Sequence, residues 1–183
     1  MRLMNFTIKD IVFMALISVV MNVVSFMTVP LVTAVPIPGI RNVVVAPFFG
    51  LLLAIALLKI KKIGTATIIS FFVGVLLIFI SPAILAFMLA SGIVTDIVAV
   101  LLKKPFDDSK NIILLCGVYM IVEVWFGIFF GALFLSPGFS FDLFLTQPLV
   151  ILVMSLASFL LGAAGGFLGS KIGGEFKRAG VAQ

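Results

Sequence analysis

Histidine is missing from all 183 residues, and cysteine occurs once. The first absence removes the commonest metal ligand and the commonest acid–base side chain. The second excludes an intrachain disulfide, and with Cys116 inside an apolar run it leaves the redox compartment unread. Charge is scarce as well: Asp, Glu, Lys and Arg make up 10% of the chain, against about 25% in soluble domains. No polar stretch is long enough to fold separately; the longest is KKPFDDSKN, Lys103 to Asn111. There is no H-E-x-x-H, no G-x-S-x-G, no cysteine–histidine pair and no phosphate loop. Enzymatic function, a metal and a cofactor are therefore not expected, and any ATP-driven work must come from another subunit.

What fills the chain instead is hydrophobic: 63% of the residues, with a mean hydropathy of +1.42. Such a chain would aggregate in water, so its solvent is lipid, and a single all-α membrane domain over 1–183 is the natural count. Spans need roughly 20 apolar residues. Six segments qualify: Ile8–Met27, Asn42–Leu58, Ile63–Ile80, Pro82–Leu102, Asn111–Leu135 and Pro148–Ile172. The first resembles a secretory signal, with basic Arg2 and Lys9 before it and VTA at 32–34. Its apolar stretch from Ile11 to Met27 is longer than a signal core, which predicts a retained helix. Ser81-Pro82 alone separates the third and fourth spans, so a tight hairpin is expected there, with Pro82 in the first helical turn.

The net charge of +5 does not point to nucleic acid, because the cations gather at span ends. Eleven of the twelve lie before or at the start of span one, between spans two and three, between four and five, or at or after the end of six. Cytoplasmic loops carry such an excess, so both termini are expected inside a cell membrane. Arg41 is the one cation on the other side.

Polar residues within spans are costly in lipid and usually face the bundle or a wet cavity. Glu123 is near the middle of its span, with Tyr119 one turn before it and Gly127 one turn after, on one helical face. That face suits ligand contact, or a protonated carboxyl bonded within the bundle. Asp96 lies seven residues before Lys103, about 10 Å of helix, a depth that suits a structural or coupling role. Ser18, Asn22 and Ser25 form a small polar stripe on the first span, with Ala15 preceding it. In the sixth, Gly162, Gly165, Gly166, Gly169 and Gly173 follow G-x-x-x-G spacing, a helix-packing pattern whose partner is open at this point. Before the second span, VPLVTAVPIPG is stiffened by Pro30, Pro36 and Pro38 and released by Gly39, as a lid would be. Arg41 and Asn42 then form a polar pair beneath it, or Arg41 snorkels at the membrane surface.

Four stretches, FTIKDIVFMALISVV, KIKKIGTATI, GIVTDIVAVLLKK and GGFLGSKIGGEFKRAG, are similar to a subgroup of the substrate-binding S components of energy-coupling factor (ECF) transporters. The resemblance spans the whole chain. It implies a six-helix scaffold without ATPase activity that captures a vitamin or related micronutrient from outside, beneath the first and last outer loops. It also implies a transmembrane T component and two cytosolic ATPases as partners, with the S component toppling in the membrane to release its cargo. Small residues on the first helix typically meet the T component; Ala15 and Ser18 are the nearest match, Asn22 continues the stripe, and Val19 stands where a second alanine is usual. The lack of histidine counts against the nickel and cobalt branches, so an organic substrate is expected. Glu123 suits a protonated amine or ring N–H, Arg41 an acceptor or anion, and Tyr119 and Trp125 can stack on a flat ring. Two other classes stay open: a self-sufficient small transporter or channel acting as an oligomer, and a non-transporting membrane assembly protein.

Overall fold

The computed structural model describes residues 6–33, 39–102, 104–134 and 147–178. Its elements are all helices: α1 (Ile8–Thr33), α2 (Ile40–Ile60), α3 (Thr65–Leu77), α4 (Pro82–Leu101), α5 (Ser109–Phe134) and α6 (Pro148–Arg178). Five are long and apolar enough to cross a membrane, and α3, with 13 residues, is the short one. The chain is an all-α, multi-span membrane protein. The helices close into a ring in the order α1–α2–α6–α5–α4–α3, and α2 also touches α5 and α3 across the middle.

Glycine explains how α6 seats between α2 and α5. A Cβ on Gly165 would strike the Pro47 carbonyl, one on Gly169 would come 2.6 Å from the Leu51 carbonyl, and one on Gly173 2.7 Å from Leu58 Cδ1. On the α5 side, Gly162 and Gly166 would meet Met120 Cγ at 2.6 Å and Cys116 Cβ at 2.9 Å. The sequence left the partner of this stripe open; it is this chain's own α2 and α5. Backbones this close gain dispersion contacts that lipid tails cannot match, which offsets glycine's weakness inside a helix.

The third span departs from expectation. Apolar residues run through 63–80, but the α-helix begins at Thr65 and ends at Leu77, followed by a turn over 78–80. Its start is packed into the bundle, with Thr65 and Ala66 fully buried and Gly64 and Thr67 half-buried, so the free amides of its first turn have little access to water. Gly64 stands at the N-cap and supplies no side-chain bond. Asp96 of α4 does so instead: its Oδ2 accepts from Thr67 N at 2.8 Å and Thr67 Oγ1 at 2.6 Å. The Gly64 and Ala66 amides face the same carboxylate. Carboxylate and helix N-terminus are electrostatically matched. Gly92, whose Cβ would lie 2.8 Å from Thr67 Cα, lets α4 come close enough for this cap. The far end of the hairpin is as expected, with Pro82 opening α4 and Ser81 Oγ accepting from Ala83 N at 3.3 Å.

Around the basic loops the polar groups are paired. Thr7 and Asp10 form a capping box at the start of α1, with Thr7 N to Asp10 Oδ2 at 3.0 Å and Asp10 N to Thr7 Oγ1 at 3.3 Å. Lys62 Nζ lies 2.6 Å from Asp10 Oδ2, Lys61 Nζ 3.2 Å from Asp107 Oδ1, and Lys59 Nζ 3.9 Å above the Phe13 ring.

Candidate functional site

The second helix begins deep. Gly39 holds the left-handed backbone at φ +82°, and it packs closely against Met154 of α6 and Val124 of α5: a Cβ there would sit 3.3 Å from Met154 Cβ. The first turn of α2 is therefore level with the middle of α5, while α5 runs on to Phe134 and α1 to Thr33. Arg41 is thus carried into the bundle rather than to the membrane surface. Its Nη2 donates to Ser25 Oγ of α1, and its guanidinium is the charge whose field acts on Glu123 of α5. Asn42 is half-buried beside it and gives its backbone N–H to the Gly39 carbonyl at 3.0 Å.

Glu123 is 3% exposed, and its Oε2 has no hydrogen-bond partner among the described residues. Two further orphan atoms accompany it. Asn22 Nδ2 donates to the Ser18 carbonyl at 3.0 Å, one turn from Ser25, which leaves Asn22 Oδ1 buried and unpaired. On α6, Ser158 Oγ is buried and unpaired. Ser158 stands one turn before Gly162, and Gly162 packs on Met120, so the antiparallel register sets Ser158 beside the Glu123 turn of α5. A buried polar atom without a partner costs about 1–3 kcal/mol, and more when charged. α1, α5 and α6 thus each contribute a buried polar group, and α2 the half-buried Arg41 that links α1 at Ser25 to the Glu123 side of α5.

Other expected site residues lie elsewhere. Tyr119 is fully buried on the Glu123 face of α5, but its hydroxyl belongs to the junction with α3 and α4, accepting from Ser70 Oγ at 3.1 Å and donating to Met88 Sδ at 3.7 Å. Trp125 is 46% exposed, two residues and about 200° round the helix from Glu123, so the two do not share a face. Ser18 and Asn22, expected to meet a partner protein, point inward instead, with Ser18 Oγ bonded to the Met14 carbonyl at 2.8 Å and the α3 Ile69 carbonyl at 3.1 Å. Small polar side chains make an internal seam as readily as a docking face, and here the seam joins α1 to α3. Ala15, half-buried, stays at its margin. Of the expected lid, residues 34–38 lie outside the described residues, as do 135–146 of the fifth-to-sixth connection. Sequence reasoning passed over Ser158, although a serine one turn from the first packing glycine was the available signal.

No family model, no characterised protein and no solved structure matches the chain. The site is therefore read from its own chemistry. The described residues contain no group of three or more carboxylate or thiol side chains placed to hold a metal ion.

Proposed function

We propose that this chain is the substrate-capture subunit, an ECF-type S component, of an ATP-driven importer in the cell membrane. In this reading it takes a small organic micronutrient, such as a vitamin or its precursor, from the side opposite the basic loops, with both termini cytoplasmic. One observation carries the reading: buried polar groups of α1, α5 and α6 stand around the half-buried Arg41 of α2 in a membrane bundle, and three of their atoms lack protein partners. Intramembrane ionisable residues of this kind mark solute or ion paths. The resemblance to ECF S components implies that a T component and two ATPases supply the drive, the chain itself carrying no nucleotide-binding sequence. With Ser18 and Asn22 turned inward, the docking face on α1 is Ala15 flanked by exposed Ile11, Val12, Leu16 and Val19.

The mid-bundle carboxylate also favours a second reading, a proton-coupled carrier that works without partners. Gentle purification from native membranes separates the two. Co-purifying ATPases and a stoichiometric small molecule, seen by native mass spectrometry, are expected. Proton-dependent uptake by the chain alone in liposomes, with no associated ATPase, would replace the first reading by the second.

A further inference from the structure

We infer that the cluster between α1, α2, α5 and α6 takes an amphoteric solute, one that carries both an anionic or strong acceptor group and an N–H donor, and that Asn22 and Ser158 orient it. This deepens the capture reading and rests on it.

The charges argue first. With Glu123 as a carboxylate the pair sums to zero, yet Arg41 gives its Nη2 bond to the neutral Ser25 hydroxyl and not to Glu123. The two charges are thus held near each other without being spent on each other. A solute of one sign would satisfy one of them and leave the other facing a like charge or a dry wall, a costly arrangement at this depth. A solute with both signs, or with an acceptor and a donor at its two ends, satisfies both at once.

Hydrogen-bond capacity argues second, and independently. A guanidinium has five N–H donors and no acceptor, so after the Ser25 bond Arg41 still presents a donor fork. Opposite in kind are the orphans: Glu123 Oε2 and Asn22 Oδ1 both accept. The Asn22 amide is not free to turn, because a carbonyl can only accept, and the Ser18 carbonyl therefore fixes which end is Nδ2. Ser158 Oγ can do either and suits the middle of the solute. Donors on α2 and acceptors on α1 and α5 give the site a direction, which an asymmetric solute reads. Recognition is polar here, since Trp125 points out of the bundle and the Tyr119 hydroxyl is already bonded.

The test uses the full chain, extracted from native membranes in mild detergent. Molecules released on denaturation are identified by mass spectrometry in both ion polarities. In parallel, melting is followed with three matched probe sets: free amino acids, their N-acetyl derivatives (anion only) and their amides (cation only). The expected result is a released compound bearing both groups, with a melting shift from the first probe set only. Glu123→Gln and Asn22→Ala should each lower retention or probe affinity by about tenfold or more while the proteins still melt cooperatively. Gly174→Ala, at a position with nothing within 4 Å, serves as the control with unchanged retention. A released compound or effective probe of a single charge sign overturns the amphoteric class and leaves capture standing. Retention unaffected by Glu123→Gln overturns the site. An empty protein that no probe set stabilises and no partner accompanies overturns capture as well.

Discussion

Asp96 and Glu123 are both carboxylates buried in the helical ring, 6% and 3% exposed, and each keeps one oxygen without a partner. Their remaining surroundings differ in kind. Asp96 Oδ2 takes two hydrogen bonds from Thr67 at the start of α3, where free amides already favour a negative charge. Glu123 lies near a cation that is bonded elsewhere, and Ser158 beside its turn of α5 is unsatisfied as well. One carboxylate completes a backbone. The other is part of a set that the protein does not complete by itself. Similar burial therefore says little about role; what the neighbours still need says much more.

The largest expected effect breaks the first half of this contrast. Asp96→Ala removes the cap and leaves the half-buried Thr67 amide and its neighbours without their acceptor. A loss of about 2–3 kcal/mol in unfolding free energy is expected, from one or two donors that lose their acceptor. Asp96→Asn keeps an acceptor oxygen and should lose about half as much. Thermal or denaturant melting in detergent measures both, and equal losses for the two variants would mean that the charge, not the cap, carries the stability.

Next comes the junction that lies between the two carboxylates. Tyr119→Phe and Ser70→Ala each delete one end of the 3.1 Å bond joining α5 to α3, and each is expected to cost about 1 kcal/mol. The double variant should cost less than the sum, because the two side chains share that bond. Strict additivity would separate Tyr119 from Ser70 and return its hydroxyl to the Glu123 side.

A smaller effect is expected at the basic end. Asp10→Asn breaks the pair with Lys62, whose side chains are 23% and 18% exposed, and weakens the capping box. About 0.5 kcal/mol is expected, shrinking as salt is raised. A salt-independent loss would assign the effect to the cap rather than the ion pair.

How far these roles were legible beforehand follows from what decides each of them. Helix class and most spans depend on long apolar runs, which a linear reading registers directly, and Pro82 after Ser81 announces its own hairpin. Depth alone limited Asp96 to a structural or coupling role, and its contact with the start of α3 came only with the fold. The length of α3 could not, because hydropathy is continuous from Ile63 to Ile80 while the helix start depends on Gly64 and a cap from another helix. The facing of Ser18 and Asn22 was equally hidden: a small polar stripe fits an outer docking face or an inner seam, and the choice rests on α3 lying against α1. Trp125 was drawn to Glu123 by nearness in sequence, although two residues along a helix place side chains on nearly opposite faces. Arg41 and Glu123 were both singled out separately; only the deep start of α2 at Gly39 brings them to one level.

Glu123→Gln carries the smallest expected change in stability and the most telling one. The substitution preserves shape and replaces the carboxyl by an amide that carries no charge at any pH. Arg41 keeps its bond to Ser25 and makes none to Glu123, so the substitution breaks no direct pair and unfolding free energy should stay within about 0.5 kcal/mol of the parent. Retention of a small molecule should fall sharply in the same sample. A group that stability can spare while binding cannot is held in place for something outside the chain. If Glu123→Gln instead unfolds the protein as readily as Asp96→Asn, the two carboxylates are alike after all. The orphan atoms around Arg41 would then be a cost of the fold rather than the lining of a site.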